Sequence, residues 1–241
     1  MRAAALNSWL ASVCLLIPLG CESPSPANGD GAGETETGET EAGETETEAG
    51  ETEAGETETG DEPYGHGNLH PDCMGDAPIV ALETTLGTMV VQLDSTRAPI
   101  TVANFLGYVS SEFYDNTIFH RVIEGFVIQG GGYEPGLELK QTLGTIPLEI
   151  DPALIHVDGA IAMARSQAPD TAESQWYITD KAQPGLDGNY AVFGVLIDGF
   201  DVRDAIAAVA TADAMWMGFT MSNVPVEDVI VTAAVCVPSW P

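Results

Sequence analysis

Apolar and polar positions divide the 241-residue chain into three stretches of different character. Residues 1–20 are apolar almost throughout, and residues 33–60 contain no large apolar side chain. From Ile79 onward the two classes alternate at short spacing. There "PIVALETTLGTMVVQLD" predicts two strands about a turn at Leu86 and Gly87. Pro99 marks a helix start, and Val102, Phe105, Leu106 and Val109 follow at the spacing of one helical face. Apolar runs at 117–123, 125–129, 160–164, 176–179 and 191–196 predict further strands. Residues 202–209 predict a second helix that buries Val202, Ile206 and Val209, and "VEDVIVTAAVCV" predicts a closing strand. About eight short strands with two helices point to a mainly β fold, a closed antiparallel eight-stranded barrel capped by the helices. Met215, Trp216, Met217, Phe219 and Met221 fall at 212–225, where a loop is expected. They either pack against the barrel or form an exposed soft patch for unfolded chains.

The formal net charge of −30 matters through its location. Between Glu34 and Glu62 lie 13 acidic residues and no basic one, whereas Ile79 to the end holds 20 acids and 6 bases. This balance argues against a nucleic-acid partner, which needs a basic footprint. The repeat "GETETGETEAGETETEAGETEAGETETG" cannot bury a face, so residues 21–78 are expected to be a disordered acidic linker. Weak binding of calcium or a cationic partner is its sharper alternative. Before it, Arg2 and "AAALNSWLASVCLLIPLG" read as an export signal at 1–20, too short for a comfortable bilayer span. The end of this segment at Cys21 resembles a bacterial lipobox, with Pro18 where leucine is more usual. That resemblance implies cleavage before Cys21, lipidation there and, from Glu22, an outer-membrane location facing the periplasm or the cell surface. Cys14 would leave with the signal, so Cys73 and Cys236 remain, either joined in a disulfide or left as two thiols. His66, His70 and Cys73 lack a rigid frame, and no metal site is expected.

"FHRVIEGFVIQGGGYEPG" puts a guanidinium and an amide among apolar positions that would otherwise suit a core strand. If the break at Glu124 and Gly125 preserves parity, Arg121, Val127 and Gln129 share one face, with Phe126 beside the turn. This is either a peptide site, a greasy pocket beside fixed donors, or an arginine paired with a carboxylate on an ordinary outer face. The glycine run lacks the Gly-Lys-Ser/Thr of a phosphate loop.

Three long phrases, "FYDNTIFHRVIEGFVIQGGGYEPG", "GAIAMARSQAPDTAESQWYIT" and "GLDGNYAVFGVLIDGFDV", together resemble a cyclophilin-type peptidyl-prolyl cis-trans isomerase of the bacterial kind. The resemblance runs from about Ile79 to Val237, so residues 79–241 are expected to form one cyclophilin-like domain. It implies that Arg121 is the electrostatic catalyst, with Gln129 and Phe126 beside it. Val127, Tyr177 and Leu186 would complete the proline pocket, Gln175 and Tyr190 would flank it, and the Ala164 and Arg165 backbone would meet the extended peptide. No cofactor is implied. The implied partners are proline-containing peptides and unfolded exported proteins, and the chain is expected to act as a monomer held to the membrane by its lipid. His120 is expected to be a core histidine.

Several positions depart from the family pattern. Tyr177 and Trp176 stand for phenylalanines, Val127 for a methionine, and Tyr190 for a histidine common in other members. Gly185 occupies the place of the tryptophan of cyclosporin-sensitive members, so weak binding of that inhibitor is expected. The Tyr177 hydroxyl needs a partner or water. A non-catalytic holding module on a tethered arm is therefore the competing function.

Overall fold

The computed structural model describes residues 69–241. The expected signal peptide at 1–20, lipidation at Cys21 and most of the acidic linker at 21–78 lie outside the described residues. A short 3-10 helix at Pro71–Cys73 leads into β1 (Ile79–Thr84), β2 (Gly87–Leu93) and α1 (Pro99–Ser110). The chain continues through β3 (Thr117–Ile118), β4 (Arg121–Ile123), β5 (Val127–Gly130), β6 (Tyr133–Glu134) and β7 (Glu138–Leu139). Next come β8 (Ala160–Met163), β9 (Trp176–Thr179), a 3-10 helix at Pro184–Leu186, and β10 (Val192–Asp198). The last elements are α2 (Phe200–Ala207), β11 (Thr211–Trp216), β12 (Phe219–Pro225) and β13 (Ile230–Val237).

Nine strands form one antiparallel sheet in the order β3-β13-β1-β2-β10-β8-β9-β5-β4. The sheet is strongly curled but open, with β3 and β4 as its edges, and this corrects the closed eight-stranded barrel expected from the sequence. Both edges come from the one run at 117–123. Ile118 pairs with Ile230 of β13, whereas Arg121 pairs with Gln129 of β5. Between them Phe119 turns its ring into the core, edge-on to Trp176 at 5.6 Å, and its N–H bonds the Val229 carbonyl outside the ladder. One run therefore serves two neighbours and splits the predicted strand in two.

Alternation sorts the strands that carry the site. Ile128 of β5, Ile161 and Met163 of β8, and Trp176 and Ile178 of β9 join the main core. Val127, Gln129, Ala162 and Tyr177, one position out of phase, lie on the other face. The four stripe residues of α1 are buried as expected, and Phe105 packs against Tyr114, Trp176 and Phe193.

The second helix starts two residues earlier than predicted and leaves Val202 and Val209 only half-buried. Its inward side carries Arg203, 4% exposed. This guanidinium donates to Asp158 Oδ1 (2.7 Å), the Thr179 carbonyl (2.6 Å) and Asp204 Oδ1 (2.7 Å). A buried charge persists only when paired and hydrogen-bonded in this way.

The expected loop at 212–225 is a hairpin, β11 with β12, turning at Met217 (φ +46°) and Gly218 (φ +87°). Positive φ at both central residues suits the twist of a two-residue hairpin. Its apolar side chains divide. Trp216 and Met221 are buried beside Ile118 and Tyr133, while Met215, Met217 and Phe219 are exposed. Cys73 and Cys236 form a disulfide that fastens the first 3-10 helix to β13.

Candidate active site

Ladder register carries the site across four strands. Arg121 of β4 stands opposite Gln129 of β5, Gln129 opposite Tyr177 of β9, and Tyr177 opposite Ala162 of β8. Residues directly opposite share a face. The four make one row, and Ile123, Val127 and Thr179 make the next. The turn at Glu124 and Gly125 preserves parity, so Arg121, Val127 and Gln129 do lie on one face.

Within the row, Arg121 Nη1 donates to Gln129 Oε1 at 3.4 Å, and Gln129 Nε2 donates to Gln175 Oε1 at 3.1 Å. The guanidinium carbon lies 5.9 Å from the Phe126 ring centroid, within reach of the ring's negative face. Val127 and Tyr177 are fully buried and Gln129 and Leu186 nearly so, whereas Arg121, Phe126, Gln175 and Tyr190 are half-buried. The result is a closed apolar floor with an accessible rim.

The turn bearing Phe126 is braced from behind. Gly125 N–H donates to Asp180 Oδ2 (2.6 Å), and Asp180 N–H donates to the Phe126 carbonyl (2.8 Å). The other Asp180 oxygen stands 3.8 Å from Arg203 Nε, which links the turn to α2.

Of the two expected backbone contacts, the Ala164 N–H already donates to the Gln175 carbonyl (2.9 Å). The Arg165 side chain reaches neighbouring carbonyls. Its Nε donates to the Asn189 carbonyl (2.9 Å), its Nη1 to those of Ser166 (2.9 Å) and Gln167 (3.0 Å), and it covers the Tyr190 ring at 4.9 Å. It thereby clamps the loop that carries Tyr190.

Of the two aromatic departures, Trp176 has left the site. It stands opposite Gly130 and Met163 on the core face. Tyr177 remains on the site face, edge-on to Tyr190 at 6.0 Å. Its hydroxyl lies 2.9 Å from His156 Nε2, and His156 Nδ1 lies 2.7 Å from Asp187 Oδ1. Burial pushes the phenol well above its ordinary range and the imidazole below its own, against the pull of Asp187. His156 and Asp187 are the residues that sequence reasoning missed. His156 sits in a stretch without regular structure and meets its partners only through the fold.

His120, adjacent to Arg121 in sequence, points into the interior. It is fully buried and 4.7 Å from the Tyr133 ring. Burial, with the nearby Arg121 charge, drives its pKa down to about 3. It is a neutral core residue.

A guanidinium steered by an amide beside an apolar aromatic floor can set a fixed donor next to an apolar ring. Comparison with known proteins gives the class. A family profile described as "Cyclophilin type peptidyl-prolyl cis-trans isomerase/CLD" matches residues 79–235. Peptidyl-prolyl cis-trans isomerase B of Escherichia coli (strain K12) is 42% identical over 161 residues, covering 64% of this chain and 96% of that protein. Peptidyl-prolyl cis-trans isomerase cyp18 of Streptomyces antibioticus is 41% identical over 163 residues, with the same coverage of 64% and 96%. The crystal structure of a cyclophilin type peptidyl-prolyl cis-trans isomerase from Cryptosporidium parvum superposes with a TM-score of 0.57 at 31% identity, over 68% of this chain and 99% of that one. The chain belongs to the cyclophilin-type peptidyl-prolyl cis-trans isomerases.

Proposed function

We propose that this isomerase turns X–Pro bonds by stabilising the twisted amide with the Arg121 guanidinium while the proline ring enters a pocket backed by Tyr177. Amide resonance sets a barrier of roughly 18–20 kcal/mol, and uncatalysed X–Pro rotation takes tens to hundreds of seconds. Twisting removes the conjugation, so the nitrogen becomes pyramidal and basic. A donor aimed at that nitrogen, or at the carbonyl oxygen as it swings, binds the twisted state better than either planar one. Arg121 suits this task because its fork has a fixed direction and stays charged. Gln129 accepts from one arm of the fork and so steers the others.

The observation that carries this reading is the cross-strand row Arg121, Gln129, Tyr177 and Ala162, which sets a cation beside an apolar floor. A proline-containing peptide as ligand is supported by a second Cryptosporidium parvum cyclophilin structure, determined in the presence of the dipeptide Ala-Pro (TM-score 0.55, 32% identity, 65% of this chain and 97% of that one). The competing holding module drew on Trp176 and Tyr177. Trp176 lies in the core and the Tyr177 hydroxyl is partnered, so neither leaves an orphan polar group on the floor.

The test is isomerisation of a short X–Pro peptide by the full-length chain. Arg121→Ala is expected to lower kcat/KM about 10²–10³-fold, as loss of one preorganised donor does. Arg121→Lys is expected to recover little of it. Activity within twofold of wild type in Arg121→Ala would remove Arg121 as the catalyst, and no activity in the folded wild-type chain would leave the fold a binding module.

The reading extends to exported and envelope proteins as clients, and to a monomer anchored through a lipid on Cys21. The Cys73–Cys236 bond supports an oxidising compartment. Fatty-acid labelling that disappears in Cys21→Ser is the expected result, and an unlabelled wild-type chain would remove the anchor.

A further inference from the structure

Beneath the floor, Asp187, His156 and Tyr177 form a hydrogen-bonded chain that the isomerase chemistry above does not use. Asp187 Oδ1 accepts from the His156 backbone N–H at 2.8 Å and lies 2.7 Å from its Nδ1. An ionised carboxylate only accepts, so neutral His156 carries its proton on Nδ1 and presents a lone pair at Nε2. The phenol of Tyr177, 2.9 Å away, must then donate to Nε2. The imidazole and phenol rings lie nearly parallel, 9° apart with centroids at 6.0 Å, so Tyr177 is held at its hydroxyl and along its ring.

We propose that His156 and Asp187 are positioning residues for the isomerase: they fix the Tyr177 hydroxyl as a donor directed away from the substrate, so that the ring presents a dry floor to the proline. This rests on the reading of Tyr177 as that floor.

The arrangement has a built-in condition. When His156 gains a second proton, Nε2 becomes a donor, and the phenol oxygen must accept from it. The phenol proton then needs another acceptor. Tyr177 is fully buried, so water cannot take it in place, and the O–H is left without an acceptor beneath the proline site. A buried donor without an acceptor opposes entry of an apolar ring.

The titratable and charged groups around His156 are few. Asp187 faces Nδ1 and favours the charged ring, while Tyr177 on β9 faces Nε2. Tyr190 and Arg165 reach the pair only through Tyr177. Burial outweighs Asp187 and keeps His156 below its ordinary pKa, so the working tautomer holds through neutral pH and is lost on acidification.

The test is kcat/KM of the full-length chain on an X–Pro peptide without titrating side chains, from pH 8 to pH 4.5. Wild type is expected to lose activity several-fold below the ordinary imidazole range, mainly through KM. Tyr177→Phe, which has no proton to misdirect, is expected to give a flat profile. His120 is common to both, so any global acid effect cancels in the comparison. At pH 8, His156→Gln is expected to cost roughly tenfold, the scale of one unmade buried hydrogen bond, and adding Tyr177→Phe is expected to raise kcat/KM above that of His156→Gln alone. Parallel pH profiles for wild type and Tyr177→Phe would overturn the proposal, as would a His156→Gln defect that Tyr177→Phe does not relieve. If His156→Gln does not fold, the wild-type and Tyr177→Phe profiles decide alone. The floor itself is tested separately by Tyr177→Ala. A wild-type KM there would remove Tyr177 from the site while leaving the Arg121 result untouched.

Discussion

His120 makes the stability of this protein depend on pH in a way that can be worked out in advance. An imidazole in the unfolded chain titrates near 6.5, whereas burial and the adjacent Arg121 charge lower the folded ring to about 3, against the pull of Gln175 and Ile118. Between those values the unfolded state binds a proton that the folded state refuses, so stability falls as pH drops below 6.5. At pH 5 the difference of 1.5 units corresponds to about 2 kcal/mol, and any folded value below about 4 gives nearly the same figure. Taken down to pH 3 the loss reaches roughly 4 kcal/mol, close to the whole stability of a marginal domain. The perturbation is His120→Phe, which keeps an aromatic ring against Tyr133 and removes the titration. Urea denaturation of wild type and variant at pH 8 and pH 5 reads the outcome. Wild type is expected to lose about 2 kcal/mol more than His120→Phe between the two conditions. The contributions of His156 and of the carboxylates are common to both proteins and cancel. Equal losses would show that the ring is charged or solvated in the folded state, and the argument from burial would fail.

Three further outcomes follow from the same geometry. Gly131→Ala is expected to destabilise the protein by about 2–5 kcal/mol in urea titrations, because φ is +82° and the added carbon would stand 2.7 Å from Trp176 Nε1 and 2.9 Å from the Ser174 carbonyl. Replacing Cys73 and Cys236 by serine releases a loop of 163 residues. Chain entropy puts the cost near 5 kcal/mol at most, and calorimetry is expected to show a lower Tm with isomerase activity retained at low temperature. Asp187→Asn removes the charge that favours protonated His156, so the acid loss of kcat/KM is expected to move to still lower pH, read from the same pH series.

What could be read in advance follows from range. The shared face of Arg121, Val127 and Gln129 was legible because a period of two acts within one hairpin, and only a single turn could have broken it. The stripe of α1 was legible for the same reason. The edges of the sheet were not. The run at 117–123 looks like one strand, and its division depends on which neighbours Ile118 and Arg121 find, β13 and β5, far apart in sequence. The hairpin at 211–225 was hidden by Met217, since a methionine at φ +46° is not a turn signal, although Gly218 after it is. Arg203 carries no local signal of burial, since its three acceptors, on Asp158, Thr179 and Asp204, are assembled by the fold. His156 and Asp187 were illegible for a stronger reason. Their partners lie 21 and 31 residues away, and no local pattern announces a buried histidine that tunes a tyrosine.

The register that sets Ile79 opposite Val237, together with the bond from Cys236 of β13 to Cys73 ahead of β1, closes the described domain into a covalent ring. A ring answers a protease differently from a line. One cut at an exposed turn, such as that at Met217 and Gly218, opens the loop but liberates no piece, and the severed ends stay tied to the same sheet. Two cuts, or one cut followed by reduction, are required before anything departs. The lifetime of this domain among proteases is therefore governed by the second incision.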